Sequence, residues 1–149
     1  MYFYIIKYEN MKKLITILLL TALTSCGVAL EPPKSNTDYK NIIGKPIKID
    51  NVEVAQYDFP KDMNWEDAKR FCTYLGKGWR LPTKEELNYT LYENRVAIGG
   101  FSSYIYWSSK ESDYVEGAWA QNFSLAPNIP WSGFNYKVDR NSVRAVRSL

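Results

Sequence analysis

The sequence predicts an α+β fold, and two observations support this prediction. Two helical segments follow one another early in the folded part of the chain. From Gly99 onward the pattern changes to short strand-like runs, separated by loops rich in Gly, Ser, Asn and Pro. Helices followed by strands, rather than strict alternation, are typical of α+β domains. The 149 residues, 46% of them apolar and 23% charged, fit one globular domain.

Two short strands and two helices are predicted before Gly99. The strands flank the turn-forming pair Asp50-Asn51. The first helix runs from Trp65 to Leu75 on one apolar stripe, with Asn64 as its N-cap and Gly76 as its stop.

The second helix runs from Lys84 to Tyr92. Its start is marked by a capping box formed by Thr83 and Glu86. The later strands are predicted at Tyr104–Ser109, Gly117–Phe123 and Ser142–Arg147.

The N-terminal segment has the layout of an export signal. From Met11, which is the better start, two lysines precede an apolar run from Leu14 to Leu23, and small residues lead to Cys26. This run is shorter than the roughly 20 residues that a membrane-spanning helix needs. The four residues ending at Cys26 resemble the bacterial lipobox, so residues 1–25 are predicted to be a lipoprotein signal peptide. The alternative is an ordinary secretory signal with a chance cysteine.

Residues 26–45 are predicted to be a lipidated N-terminus and flexible tether, and residues 46–149 the folded domain. The tether contains Pro32-Pro33 and polar residues, which are typical of linkers. Gly27 lacks the aspartate associated with inner-membrane retention, so we expect a protein that leaves by the general export route and is anchored at the outer membrane or cell surface.

Charge and composition exclude several function classes. Three of the 19 basic and one of the 16 acidic residues lie in the removed segment, so the mature net charge is +1 rather than +3. A net charge this close to zero does not indicate nucleic-acid binding, which usually requires clustered basic residues. The absence of histidine removes the commonest general base and histidine metal sites. No enzyme activity and no cofactor are therefore predicted, and a cryptic enzyme is the least favoured alternative.

Acidic and thiol groups that resemble catalytic residues have simpler interpretations. Glu85 and Glu86 lie in a first helical turn, where the helix dipole favours negative charge. Cys72 lies on an apolar helix stripe, so a small buried hydrophobe is favoured over a reactive thiol.

A series of motifs carries a resemblance to a known family. They are Trp65-x-x-Ala68, Cys72, Gly78-Trp-Arg-Leu-Pro-Thr83, Glu86-Leu87, Tyr106-Trp-Ser-Ser109, Ala118-Trp119 and Val143-Arg-Ala-Val-Arg147. In order and spacing this series resembles the family named for the C-terminal domain of collagen-like adhesins (Lcl-C), over about residues 57–149. The resemblance implies a C-type-lectin-like fold of secreted or surface bacterial proteins, with two helices packed on small antiparallel sheets and long irregular loops. This fold is distantly similar to the formylglycine-generating enzyme domain.

The resemblance also implies roles for individual residues. Trp79, Leu81, Trp107 and Trp119 are expected in the core. The guanidinium groups are expected to pair internally with carboxylates or carbonyls, at Arg80, Arg144 and Arg147.

Metal sites known from related folds are not reproduced. The calcium motifs of lectins are replaced by Ala126-Pro127-Asn128. Glu111, Asp113 and Glu116 could hold calcium weakly, although solvated charge is favoured. Formylglycine-generating enzymes use a reactive cysteine pair with copper, which a lone cysteine on an apolar helix face cannot supply. No metal site is therefore predicted.

The predicted ligand-binding segment is the loop from Ser124 to Arg140. It carries amide, aromatic and guanidinium groups that suit sugar or protein contacts, at Asn128, Trp131, Asn135, Tyr136 and Arg140. The alternative is an irregular loop whose Trp131 packs back on the core. The predicted function is a lipid-anchored envelope or surface domain that binds glycan or protein, as an adhesin does. A structural lipoprotein that mediates envelope protein contacts is the second possibility.

Overall fold

The computed structural model describes residues 41–102, 104–124 and 131–149. The predictions on the signal peptide, Cys26 and Asn128 lie outside these residues. Among the described helices, none is both long and apolar enough to cross a membrane.

Two three-stranded antiparallel sheets form the framework. The first has the order β1-β2-β6, with β1 at Ile47–Ile49, β2 at Val52–Val54 and β6 at Val146–Ser148. The second has the order β3-β4-β5, with β3 at Ile105–Glu111, β4 at Gly117–Asn122 and β5 at Ser132–Tyr136. The predicted hairpin around Asp50 is confirmed, and Asp50 adopts the left-handed conformation (φ 52°) that such a tight turn requires.

The helices begin where the capping residues predict. Helix α1 spans Trp65–Tyr74, and the Asn64 side chain accepts a hydrogen bond from the Asp67 amide at 2.8 Å. Helix α2 spans Glu86–Tyr92 and is wound as a π-helix, which the sequence pattern did not predict. The capping box is confirmed, because the Thr83 amide donates to Glu86 and the Glu86 amide donates to the Thr83 hydroxyl. A short helix α3 follows at Arg95–Ile98.

The main core cluster draws on both sheets, α2 and α3. Val52, Val54 and Val146 come from the first sheet, and Tyr106 comes from β3. The remaining buried members of this cluster are Leu87, Leu91, Ile98 and Phe123. Tyr92 and Phe101 pack edge-on or tilted against Phe123, with ring centroids 5.4 and 4.8 Å away. Aromatic packing therefore fixes α2 against the sheets.

The predicted C-terminal strand at Ser142–Arg147 is only partly a strand. Residues 141–146 are all buried, but they pair in turn with several segments instead of one. Asn141 exchanges two backbone hydrogen bonds with Met63, and Val146 exchanges two with Arg80. Ala145 accepts one from Ala55. Because the partner changes every one or two residues, a continuous ladder forms only from Val146 onward.

The predicted loop at Ser124–Arg140 is wrong for its second half. Residues 132–136 form β5, which pairs with β4 from Gly117 to Gln121. The alternation of exposed and partly buried residues along β5 is that of a strand at the edge of a sheet.

The folded part extends into the stretch that was predicted as tether. Ile42 is buried, and its carbonyl accepts from the Tyr57 amide at 3.1 Å. The Ile43 carbonyl accepts from the Gln56 amide at 3.0 Å.

Candidate binding surface

The predicted ligand-binding residues lie on different faces. Tyr136 projects from the exposed face of β5. Asn135 occupies the opposite face, where its amide nitrogen donates to Asn141 Oδ1 at 3.3 Å. Arg140 follows β5 and donates to the Asp62 carbonyl at 3.1 Å. The set is therefore not gathered into one site, and only Tyr136 belongs to the surface described below.

Trp131 is half-buried immediately before β5. Its indole lies over Gly133, where an added Cβ would come within 2.8 Å of the ring atom Cζ2. Glycine is therefore required at position 133 for this ring to occupy its place. The Trp131 ring thus packs on its own strand, whereas the alternative interpretation expected it to pack on the core.

Three exposed rings form a cluster that the sequence prediction found only in part. Tyr114 comes from the β3–β4 connection, and Phe134 and Tyr136 come from β5. Their ring centroids are 5.8 to 6.2 Å apart, and each side chain keeps 47–48% of its surface exposed. We call Tyr114, Phe134 and Tyr136 the aromatic cluster.

The backbone beneath the cluster explains its position. Phe134 and Tyr136 are two residues apart on a strand and therefore share one face. The Phe134 ring lies against Gly117, where an added Cβ would be 3.0 Å from Cδ2. On the same face, Phe134 is the register partner of Trp119, over whose ring the Lys84 ammonium sits at 3.4 Å. Trp119 is thus half-buried rather than a full core residue, which corrects its expected place.

Phe134 and Tyr114 were missed by sequence reasoning. The spacing of Phe134 and Tyr136 in Ser-Gly-Phe-Asn-Tyr is a period-two signal that could have revealed β5 and its aromatic face. No local signal links Tyr114 to them, because their contact arises from the pairing of β4 with β5.

Charged groups border the aromatic cluster. The Tyr114 hydroxyl donates to Glu116 at 3.4 Å, and this carboxylate raises the pKa of Tyr114. The Lys137 ammonium donates to Glu111 at 2.7 Å, and this hydrogen bond lowers the pKa of the Glu111 carboxyl. Asp113 and Asp139 are exposed and form no ion pair with any described residue.

The three predicted arginine pairings are confirmed. Arg80 binds both carboxylate oxygens of Glu86 at 2.7 and 2.8 Å, and Arg147 pairs with Glu53. Arg144 is fully buried and donates through Nε to Asp58 at 2.6 Å and through Nη2 to the Gly100 carbonyl at 2.7 Å. Arg144 is thus held inside the fold, while Arg80 and Arg147 are partly exposed but paired with carboxylates of this chain.

A hydroxyl network surrounds Asp58. The Tyr106 hydroxyl donates to Asp58 at 2.5 Å and accepts from the Ser102 amide at 2.7 Å. Burial and the Asp58 carboxylate together raise the pKa of Tyr106. Because Tyr106 is fully buried and its hydroxyl contacts Asp58 and Ser102 within the fold, the network joins segments of the fold rather than presenting a reactive group.

The family and the fold follow from comparison with known proteins. Residues 37–148 match the model of the sulfatase-modifying factor enzyme 1-like domain. The chain belongs to this family. No curated protein sequence matches the chain.

Solved structures show that the domain has a C-type-lectin-like fold, as predicted. EMS16, described as an antagonist of collagen receptor integrin α2β1, is 11% identical with a TM-score of 0.55, covering 70% of this chain and 97% of its own. Botrocetin is 15% identical with a TM-score of 0.51, covering 70% and 96%. The snake venom toxin convulxin is 13% identical with a TM-score of 0.51, covering 71% and 96%.

The formylglycine-generating chemistry known in this family is not supported by the described residues. That chemistry takes a pair of reactive cysteines and copper, whereas Cys72 is the one cysteine between residues 41 and 149. Its side chain is fully buried on α1, and burial raises the pKa of the thiol. Across the described ranges, no three acidic or cysteine side chains are grouped closely enough to hold a metal ion. The donor set therefore does not fit a copper thiolate centre.

Proposed function

We propose that this chain is a lipid-anchored binding domain of the bacterial cell envelope, that it recognises glycan or protein, and that it has no enzymatic activity. The observation that carries the proposal is the aromatic cluster. Three half-exposed rings on a paired strand and its neighbouring loop form an apolar surface on a rigid scaffold, and such surfaces mark interaction sites.

Two further observations support a binding role. Several charged side chains are committed to ion pairs within the fold, as the Arg80–Glu86 and Arg144–Asp58 pairs illustrate. EMS16, which has a similar fold, is described as an integrin antagonist, so this architecture is used elsewhere for binding a protein. The motif series also favours a relationship to the Lcl-C family, whose fold is similar.

Binding to isolated envelopes tests the role of the cluster. The purified full chain is kept in detergent, so that lipid insertion does not contribute, and incubated with detergent-washed envelopes of the bacterium that encodes it. The triple variant Tyr114→Ser, Phe134→Ser, Tyr136→Ser is expected to bind at least roughly tenfold more weakly, since aromatic anchors dominate interface energies.

A matched control uses three exposed tyrosines outside the cluster, changed to serine at Tyr57, Tyr89 and Tyr104. This control is expected to bind as the unmodified chain does. Absence of binding by the unmodified chain, or equal losses in both triple variants, would overturn the proposal.

The lipid anchor at Cys26 is tested separately. Palmitate labelling of the full chain is expected in growing cells and is expected to disappear in a Cys26→Ala variant. Protease treatment of intact cells then distinguishes the surface from the interior of the envelope. Labelling that persists in the variant would contradict anchoring at Cys26.

A further inference from the structure

The outer edge of β5 carries backbone groups that no described strand uses. β5 is the last strand of its sheet and pairs only with β4. The Asn122 amide donates to the Trp131 carbonyl, and the Lys137 amide donates to the Glu116 carbonyl. Antiparallel pairing alternates, so the amide and carbonyl groups of Ser132 and Phe134 point away from β4.

β5 also lacks the usual protection of a sheet edge. Such edges are commonly blocked by lysine, by proline or by a bulge. The strand reads Ser-Gly-Phe-Asn-Tyr, and its register with β4 is unbroken over five residue pairs. An extended chain can therefore add to this edge without displacing any described strand.

The ring orientations favour a polypeptide over a sugar. A pyranose stacks on a flat aromatic face. The rings of Tyr114 and Phe134 are inclined at 44°, and Tyr136 stands at 78° and 89° to them. The aromatic cluster is therefore a ridged apolar surface, into which alternate side chains of an added strand can pack.

The charge around the edge selects the partner. Two exposed carboxylates flank Tyr114: Asp113 precedes it in sequence, and Glu116 accepts a hydrogen bond from its hydroxyl. Neither carboxylate forms an ion pair with any described residue, whereas Glu111 pairs with Lys137. A second copy of this chain would bring the same negative charge to the interface, whereas a basic segment would be attracted.

We infer that β5 binds an extended, basic segment of another polypeptide as an added strand, with its apolar side chains on the aromatic cluster and its basic side chains near Asp113 and Glu116. This inference rests on the proposed binding function and names the partner class for the same surface. Backbone hydrogen bonds supply affinity, and the acidic border supplies selectivity.

A synthetic peptide tests the inference directly. The probe is a labelled, end-blocked octapeptide of alternating lysine and valine, and its counterpart replaces every lysine by glutamate. In fluorescence anisotropy with the full chain in detergent, the lysine peptide is expected to bind at least roughly tenfold more tightly, a difference of about 1.4 kcal/mol. Added salt is expected to reduce this difference, because exposed charges are screened.

The variant Ser132→Pro isolates the strand edge. It removes an outward amide while leaving the β4 pairing and all three rings in place, and proline is tolerated on edge strands. Affinity for the lysine peptide is expected to fall roughly tenfold, since one buried backbone partner is lost. Ser132→Ala, which keeps the amide, is expected to bind normally.

A second pair of variants tests the charge without altering the strand. Asp113→Asn with Glu116→Gln is expected to weaken binding of the lysine peptide several-fold. The control, Glu85→Gln with Glu93→Gln, changes two exposed carboxylates that flank the two ends of α2 and is expected to have no effect.

The outcomes separate this inference from the proposed function. The inference is overturned if the two peptides bind with equal affinity. It is also overturned if the lysine peptide keeps full affinity both for a folded Ser132→Pro and for the double variant Asp113→Asn, Glu116→Gln. A dimer that is lost in Ser132→Pro would overturn it too, as would binding on a glycan array that depends on the aromatic cluster but not on Ser132. In those cases the envelope assay still decides the proposed function, which fails only if the unmodified chain does not bind or does not need the cluster.

Discussion

The guanidinium of Arg144 joins three segments that are far apart in sequence. It pairs with Asp58 and donates to the Ala55 carbonyl of the same segment. It also donates to the Gly100 carbonyl of a second segment. Phe101 stacks on its planar face, with its ring centroid 4.1 Å from Cζ. A full set of partners is what makes a buried charge tolerable, and the same set makes its removal costly.

Arg144→Ala is therefore expected to lower the free energy of unfolding by about 3–5 kcal/mol, because Asp58 and several carbonyls lose their partner. Urea denaturation measures the change. The control is Lys48→Ala. The Lys48 side chain is 68% exposed and its ammonium lies 3.9 Å from Glu53, so the expected loss is below about 0.5 kcal/mol. A similar small loss in both variants would show that Arg144 is not a structural centre.

The start of α2 depends on one carboxylate with two functions. Glu86 accepts from the Thr83 amide and pairs with Arg80. Burial alone would raise the pKa of Glu86, but the hydrogen bonds from Arg80 and Thr83 outweigh it, and the net pKa is lowered. Its charge therefore stabilises the fold above the unfolded pKa of about 4.3, and that stabilisation is lost as the pH falls through the lower folded pKa.

Glu86→Gln is expected to cost about 1 kcal/mol at neutral pH, in line with the loss of a helix cap. As the pH falls through the lowered folded pKa of Glu86, the variant and the unmodified chain are expected to converge in stability, because protonation removes the same charge. Chemical denaturation across a pH series measures both effects. Glu85→Gln, an exposed neighbour outside the capping box, serves as the control, and an undiminished cost at acid pH would contradict the assignment.

At the scale of elements, the sequence predicted those whose signals are local. Asn64, Gly76 and the Thr83–Glu86 pair mark helix ends through hydrogen bonds within a few residues. The local signal for β5 is short, because only Phe134 and Tyr136 alternate and glycine and asparagine occupy the inner positions. Its pairing partner β4 lies outside any local window, so the sequence pattern could not add that support.

At the scale of the whole molecule, the aromatic cluster could not be predicted as a unit. Tyr114 and Phe134 are twenty residues apart, and they meet only through the β4–β5 register. The five predicted ligand-binding residues were chosen by their chemical type within one segment. Along a strand, however, neighbouring side chains such as those of Asn135 and Tyr136 point to opposite faces. The fold class could be predicted because the order of helices and strands along the chain is visible in the sequence pattern.

The N-terminal limit of the folded molecule is also open to measurement. Ile42 is buried, although it lies in the segment predicted to be a tether. Ile42→Ala in the full chain is expected to lower the free energy of unfolding by about 2–4 kcal/mol, as for other buried isoleucines. Thermal or urea unfolding measures it against Asn41→Ala, whose side chain is exposed. If both variants unfold like the unmodified chain, the domain begins later.

The buried C-terminal segment has a consequence for the order of folding. Residues 141–146 supply backbone partners to segments near residues 55, 63, 80 and 105, and the final Leu149 amide donates to the Asn51 carbonyl. These contacts are distant in sequence, and distant contacts slow folding. The earlier segments also lack these partners until residues 141–149 are available. The native core therefore closes only when this segment docks, and removal of residues 140–149 would leave both sheets without the segment that joins them.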